Sequence, residues 1–231
     1  MRYRQTLPIG ERHLVGRLES FGDIVMGFSM SQLALQLEIP KRPEDVFAHP
    51  MNYFVFFAAF GLLAMFWLRF HRIMAIGFAP RRVDLVLLFG MLSFIALVPF
   101  ALITYTRLLG PHGSLAQQSV ALYLGDFLGI SVFSWALNIR GLRRAWPVLE
   151  TEEERSDAWR PALAGAVIVP TFGIALAGVL TTGPYAFGLL LLMAPLIRVA
   201  RRLAPRPPAW MLPPRAAVTG PLGTLEPVAE S

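Results

Sequence analysis

The sequence predicts an all-α, polytopic membrane protein with six transmembrane helices and both termini in the cytoplasm. Three observations predict it. Hydrophobic residues make up 55% of the 231-residue chain and charged residues 16%, against the ~25% charged residues usual in soluble domains. Six apolar stretches approach the ~20 residues that a helix needs to cross a hydrocarbon core. Basic residues gather in every second connection between those stretches.

The spans fall at residues 17–39, 50–72, 83–106, 116–139, 161–181 and 184–203. The second, third and sixth are the most apolar. The first is the least, because it holds Glu19, Asp23, Gln32, Gln36 and Glu38. Residues 1–16 form a short cytoplasmic segment carrying Arg2, Arg4, Glu11, Arg12 and His13. That charge, and the lack of a small-residue exit after the first apolar run, predict a retained first helix instead of a cleaved signal peptide. Residues 17–203 form the transmembrane domain. Residues 141–160 make a charged linker, with Glu150 and Glu152 to Glu154 on a solvated helical stub. Residues 204–231 are proline-rich and are predicted to be a disordered cytoplasmic tail.

The arginines set the orientation. With the N-terminus inside, the cytoplasmic side holds Arg2, Arg4, Arg12, Arg17, Arg69, Arg72, Arg81, Arg82, Arg140, Arg143, Arg144, Arg155, Arg160, Arg198, Arg201, Arg202, Arg206 and Arg215. That is 18 of the 21 basic residues. Lys41, Arg42 and Arg107 remain outside. The asymmetry follows the positive-inside rule and calls for an even number of spans. It also explains the net charge of +6 without nucleic acid, since the basic residues punctuate apolar runs instead of lining one polar face.

No catalytic or metal-binding signature is present. The chain has no cysteine, no HExxH, no GxSxG, no phosphate-binding glycine loop and no paired histidines on one helix. The expectation is a protein that is not an enzyme and needs no cofactor or metal.

Two acidic residues lie at membrane depth: Asp23 in the first helix and Asp126 near the middle of the fourth. Charges there are costly and face protein or water. Each reads either as an anchor between helices or as part of an ion or proton relay. At 100° per residue, Phe21, Val25, Phe28, Gln32, Leu35 and Gln36 share one stripe of the first helix. Glu19, Asp23, Met30 and Ala34 fall on the other side. Two occupied faces fit a helix surrounded by others: one face meets its own subunit through Asp23, and the other packs on symmetry mates or lines a pore. Gly125 and Gly129 form a close-packing GxxxG. Pro99 and Pro170 predict kinks in the third and fifth helices. Trp67, Trp135, Trp146 and Trp159 read as interfacial anchors.

Three motifs then resemble one family. Arg17-Leu-Glu-Ser-Phe21-Gly22-Asp23 resembles the RxxxFSD signature opening the first helix of TMEM175 potassium channels, and Glu38-Ile39-Pro40 resembles that helix's exit. Trp67-Leu-Arg-Phe-His71-Arg72 is similar to the family's W-x-x-H-H-R. Phe94-Ile-Ala-Leu-Val-Pro99-Phe100 is similar to its F-I-x-L-x-P-F, and Tyr123 sits where the fourth helix often carries a tyrosine.

The resemblance implies a homotetramer in the lipid bilayer of a bacterial inner membrane, passing potassium or other monovalent cations. Its axis would be lined by the first helix of each subunit, with the constriction at Phe28, Gln32 and Leu35. Arg17, Phe21, Asp23, Trp67 and His71 would form the packing network holding that helix. Four positions depart from the family pattern: Gly22 replaces serine, Phe70 replaces the first histidine, and Phe28 and Gln32 replace aliphatic residues. Four converging phenyl rings would narrow or dewet the axis, whereas four Gln amides could coordinate a cation or seal on one another. Two alternatives follow from these departures and from the acidic pair. One is a non-conducting scaffold that retains the fold. The other is a proton-coupled transporter using Asp23 and Asp126.

Overall fold

The computed structural model describes residues 5, 7–35, 37, 50–108, 113–204 and 207. The tail readings, Lys41, Arg42, Gln36 and the Glu38-Ile39-Pro40 exit lie outside them. The described residues form helices α1 (Ile9–Ala34), α2 (Pro50–Ile76), α3 (Arg82–Leu108), α4 (Gly113–Ala145), α5 (Glu152–Thr182) and α6 (Met193–Leu203). Short 3₁₀ segments cover Trp146–Val148 and Pro184–Leu192. Among the described residues there is no strand.

Four helices, α2 to α5, are long and apolar enough to cross a membrane, so the chain is a multi-pass membrane protein. The first and last predicted spans differ. α1 begins eight residues before the expected edge, because Pro8 presets its own φ at −53° and accepts from Arg12 N–H at 3.0 Å. α1 is also too polar to count as a span by composition alone. The sixth span is no single α-helix. Gly183, at φ +102°, ends α5 and reverses the chain, and Pro184 then opens nine residues of 3₁₀ helix before α6.

α4 is the central post. It packs against α3 on one side and α5 on the other, with α2 alongside. α1 lies against α2 and α3, at the opposite end of the row from α5, the 3₁₀ segment and α6. One core cluster joins α1 to α4 through Met26, Leu63, Phe70, Leu88, Ile95 and Ile130, all buried. A second, around Leu124, Phe127, Phe172 and Val179, joins α4 to α5.

The basic ends of the helices are locked to one another. Asp84, fully buried at the start of α3, accepts from Arg140 Nε at 2.6 Å and also from Arg144 Nη2, both near the end of α4. Arg144 further donates to the Gly77 carbonyl at 3.4 Å. There the backbones of α2's end and α4 meet: a Cβ on Gly77 would stand 2.2 Å from the Gly141 carbonyl oxygen. Pro161 within α5 lacks the N–H that would bond Asp157 O, and Arg72 Nη2 donates to that oxygen at 3.2 Å instead. Thr151 caps α5 in a reciprocal capping box with Glu154, so Glu152 to Glu154 of the predicted acidic stub are the first turn of α5 itself, and Glu150 lies before its cap.

Two packing expectations change. Gly129 of the GxxxG pair makes room for the Phe94 ring, but Gly125 faces open space. The tryptophans bind protein: Trp135 Nε1 donates to Ala162 O at 2.9 Å, Trp159 Nε1 to Ala204 O at 2.9 Å, and Trp146 lies under Arg155 at 5.7 Å.

Candidate functional site: the first helix and its clamp

α1 is amphipathic in contact more than in composition. Val15, Leu18, Gly22, Met26, Ser29 and Leu33 recur at three- and four-residue spacing and are buried against α2 and α3. Ser29 Oγ is satisfied within the helix by Val25 O at 2.9 Å. The opposite stripe carries Arg17, Phe21, Ile24, Phe28, Ser31 and Leu35 and is exposed on the single chain. Phe28 is 63% exposed and Leu35 73%. Those values separate them from Gln32, which is half-buried at the edge of the stripe, and from Val25, which packs on the core. The expected stripe is therefore rotated slightly: Ile24 and Ser31 belong to it, and Val25 does not. Exposure at 24, 28, 31 and 35 follows a heptad-like spacing that the sequence contained.

The second half of the site is the grip of α2 on α1. Asp23 accepts from Trp67 Nε1 at 2.8 Å and lies 3.1 Å from His71 Nε2. Trp67 and His71 stack edge to face, 4.5 Å between centroids. One turn of α2 thus brings two donors to one carboxylate, because residues four apart share a helix face. Of the five expected network residues, the structure joins Asp23, Trp67 and His71. Phe21 meets Phe89 of α3 edge-on at 5.7 Å, and Arg17 stands exposed on the outer stripe.

Asp126 belongs to a different place. It is 2% exposed on α4, and neither carboxyl oxygen has a hydrogen-bond partner among the described residues. Tyr123, one turn earlier, stacks with Tyr105 of α3 at 5.2 Å and meets Phe127 at 4.6 Å.

Residues 17–99 match the profile of a family described as "Endosomal/lysosomal potassium channel TMEM175". From α1 to the middle of α3, the sequence is thus similar to the TMEM175 family. All three quoted motifs open within that stretch, and Asp23, Trp67 and His71 are the residues in contact. The fold agrees over a wider range. A crystal structure of the potassium channel MtTMEM175, a threonine-to-alanine variant in complex with a nanobody–MBP fusion protein, superposes with a TM-score of 0.64 at 18% identity. The match covers 81% of this chain and 92% of that one. The likeness in fold therefore covers more of the chain than the residues matched in sequence. No curated protein matches the chain.

Proposed function

We propose that this chain is a potassium-preferring cation channel of a bacterial inner membrane, a homotetramer whose axis is lined by α1. The observation that carries the reading is the outer stripe of α1. α2 and α3 hold the helix on one side, while Phe28 and Leu35 project from the other and are mostly exposed among the described residues. A lipid-facing stripe would be uniformly apolar. This one also holds Arg17 and Ser31, with Gln32 on its edge, a mixture that suits contact with other subunits and a water path. Phe28 and Leu35 form the narrow apolar layers, and Gln32 and Ser31 offer oxygens between them. The matched family is described as a potassium channel, and the superposed structure is one.

The orientation fits the same picture. Arg72, Arg140, Arg144 and Asp157 meet at one end of the helices, and the positive-inside rule places that end in the cytoplasm. The Pro184–Leu203 stretch supplies the sixth crossing. Nine 3₁₀ residues at ~2.0 Å and eleven α residues at ~1.5 Å give about 34 Å if they run on in one line, against a core of about 30 Å.

Purified protein in liposomes tests the channel. Potassium flux is expected, rising at least tenfold on Phe28→Ala as the apolar ring layer is removed, while Gln32→Leu lowers it. Absence of flux in both the native chain and Phe28→Ala would favour the non-conducting scaffold. One observation supports the transporter reading: the unpartnered buried carboxyl of Asp126. That reading requires flux that depends on a proton gradient and is abolished by Asp126→Asn.

A further inference from the structure

Two of the positions at which this chain departs from the family pattern, Gly22 and Phe70, touch. A Cβ built on Gly22 would lie 2.3, 2.6 and 2.9 Å from three atoms of the Phe70 ring, and real Cβ contacts are never that short. The ring has no room to swing away: Phe70 is 0% exposed, packed in the core that joins α1 to α4. Its neighbour His71, 5.4 Å between ring centroids, reaches Asp23, the residue after Gly22. A single turn of α2, Trp67 to His71, therefore grips two consecutive residues of α1. Trp67 and His71 hold the Asp23 carboxylate, and Phe70 fills the space that Gly22 leaves.

We infer that Phe70 and Gly22 are a matched steric pair that fixes the rotation of α1 about its own axis, and with it which side chains α1 presents on its outer stripe. A helix held at one point can turn about that point. Gly22 and Asp23 sit ~100° apart around the helix, so an apolar stop and a polar tether at those two positions remove that freedom. The tolerance is small. A turn of about 40°, the angle between residues four apart, moves a Cα on its 2.3 Å radius by only about 1.6 Å and exchanges Phe28 for Ile24 or Gln32 at the centre of the stripe. Phe70 and Gly22 act here as positioning residues. The consequence for permeation rests on the pore reading above, but the clamp itself does not.

The chain contains no cysteine, so the test needs no background substitutions. Phe28→Cys and Ile24→Cys are made singly, and the ratio of their modification rates by a small charged thiol reagent reports the rotation of α1 in the full-length protein. Adding Gly22→Ala is expected to change that ratio at least fivefold. Adding Phe70→Leu to Gly22→Ala, which removes the ring atoms the new methyl would strike, is expected to restore the ratio to within twofold of the native value. A ratio that moves less than twofold with Gly22→Ala overturns the inference, as does a double variant no closer to native than Gly22→Ala. Should Gly22→Ala alone fail to assemble, recovery of assembly by Phe70→Leu supports the pair, and failure of the double variant overturns it. Potassium flux is recorded on the same preparations. Its absence in the native chain would count against the pore while leaving the modification ratio to decide the clamp.

Discussion

At Asp84 one carboxylate, fully buried, faces two guanidinium groups, and the three have unequal access to water. The Asp84 side chain is 1% exposed, Arg144 15% and Arg140 38%. Breaking a buried pair by removing one partner strands the other charge, at about 3–5 kcal/mol. Asp84→Ala strands Arg144 and leaves Arg140 to water, so it is expected to lower folded yield in detergent severely, read by size-exclusion chromatography. Arg140→Gln, whose head reaches water, is expected to lower the melting temperature only modestly. At Asp23 the balance differs, because the carboxylate is 48% exposed. Trp67→Phe keeps the ring against His71 but removes the indole donor. Its expected cost is about 1 kcal/mol, visible as a shift of a few degrees in thermal melting. Neither contact was evident from composition. Arg140 and Arg144 read as topogenic charge, and Trp67 as an interface anchor that only the family resemblance groups with Asp23 and His71, because composition shows which residues border the membrane without showing which of them meet.

At the scale of whole helices, close approach separates glycines that look alike. A methyl on Gly77 would stand 2.2 Å from the Gly141 carbonyl oxygen, backbone that cannot rotate aside, whereas a methyl on Gly141 finds its nearest neighbour at 3.6 Å. Gly77→Ala is therefore expected to destabilise the protein by about 1–3 kcal/mol, and Gly141→Ala to be near neutral, measured as melting temperature in one detergent. The Gly125 and Gly129 pair should divide the same way: Gly129→Ala costs stability against the Phe94 ring and Gly125→Ala does not. The sequence pattern could not make this division, because GxxxG spacing says two glycines share a face and nothing about what lies opposite. Helices α2 to α5 were legible, since length and hydropathy alone decide whether a segment can cross lipid. The clamp was legible in part, because Arg17, Phe21 and Asp23 at fixed spacing, followed by Trp67 and His71, resembled a known arrangement. The form of the last helical stretch, part 3₁₀ and part α, was not legible for a physical reason. Pro184 to Leu192 is uniformly apolar, and a run without polar residues has no period from which an α could be told from a 3₁₀ hydrogen-bond pattern.

The assembly decides what the outer stripe of α1 is for, and covalent geometry can read it. A disulfide forms only when two Cα atoms come within about 7 Å. If four copies of α1 surround one axis, a lone cysteine at Phe28 faces its equivalents across a narrow space, and oxidation in membranes should join subunits of the 25.6 kDa chain into covalent dimers. Leu180, 60% exposed on α5, is at the other end of the helix row, and a cysteine there should stay monomeric under the same oxidation. The contrast between the two sites matters more than either alone. Random collision in a crowded bilayer would join both, and an α1 facing lipid would join neither in preference. Cross-linking at 28 and 35 with none at 180 would place the stripe at a shared axis. Equal yields at 28 and 180 would remove the ground for a central path, and with it the reason that Phe28, Gln32 and Leu35 should govern the passage of an ion.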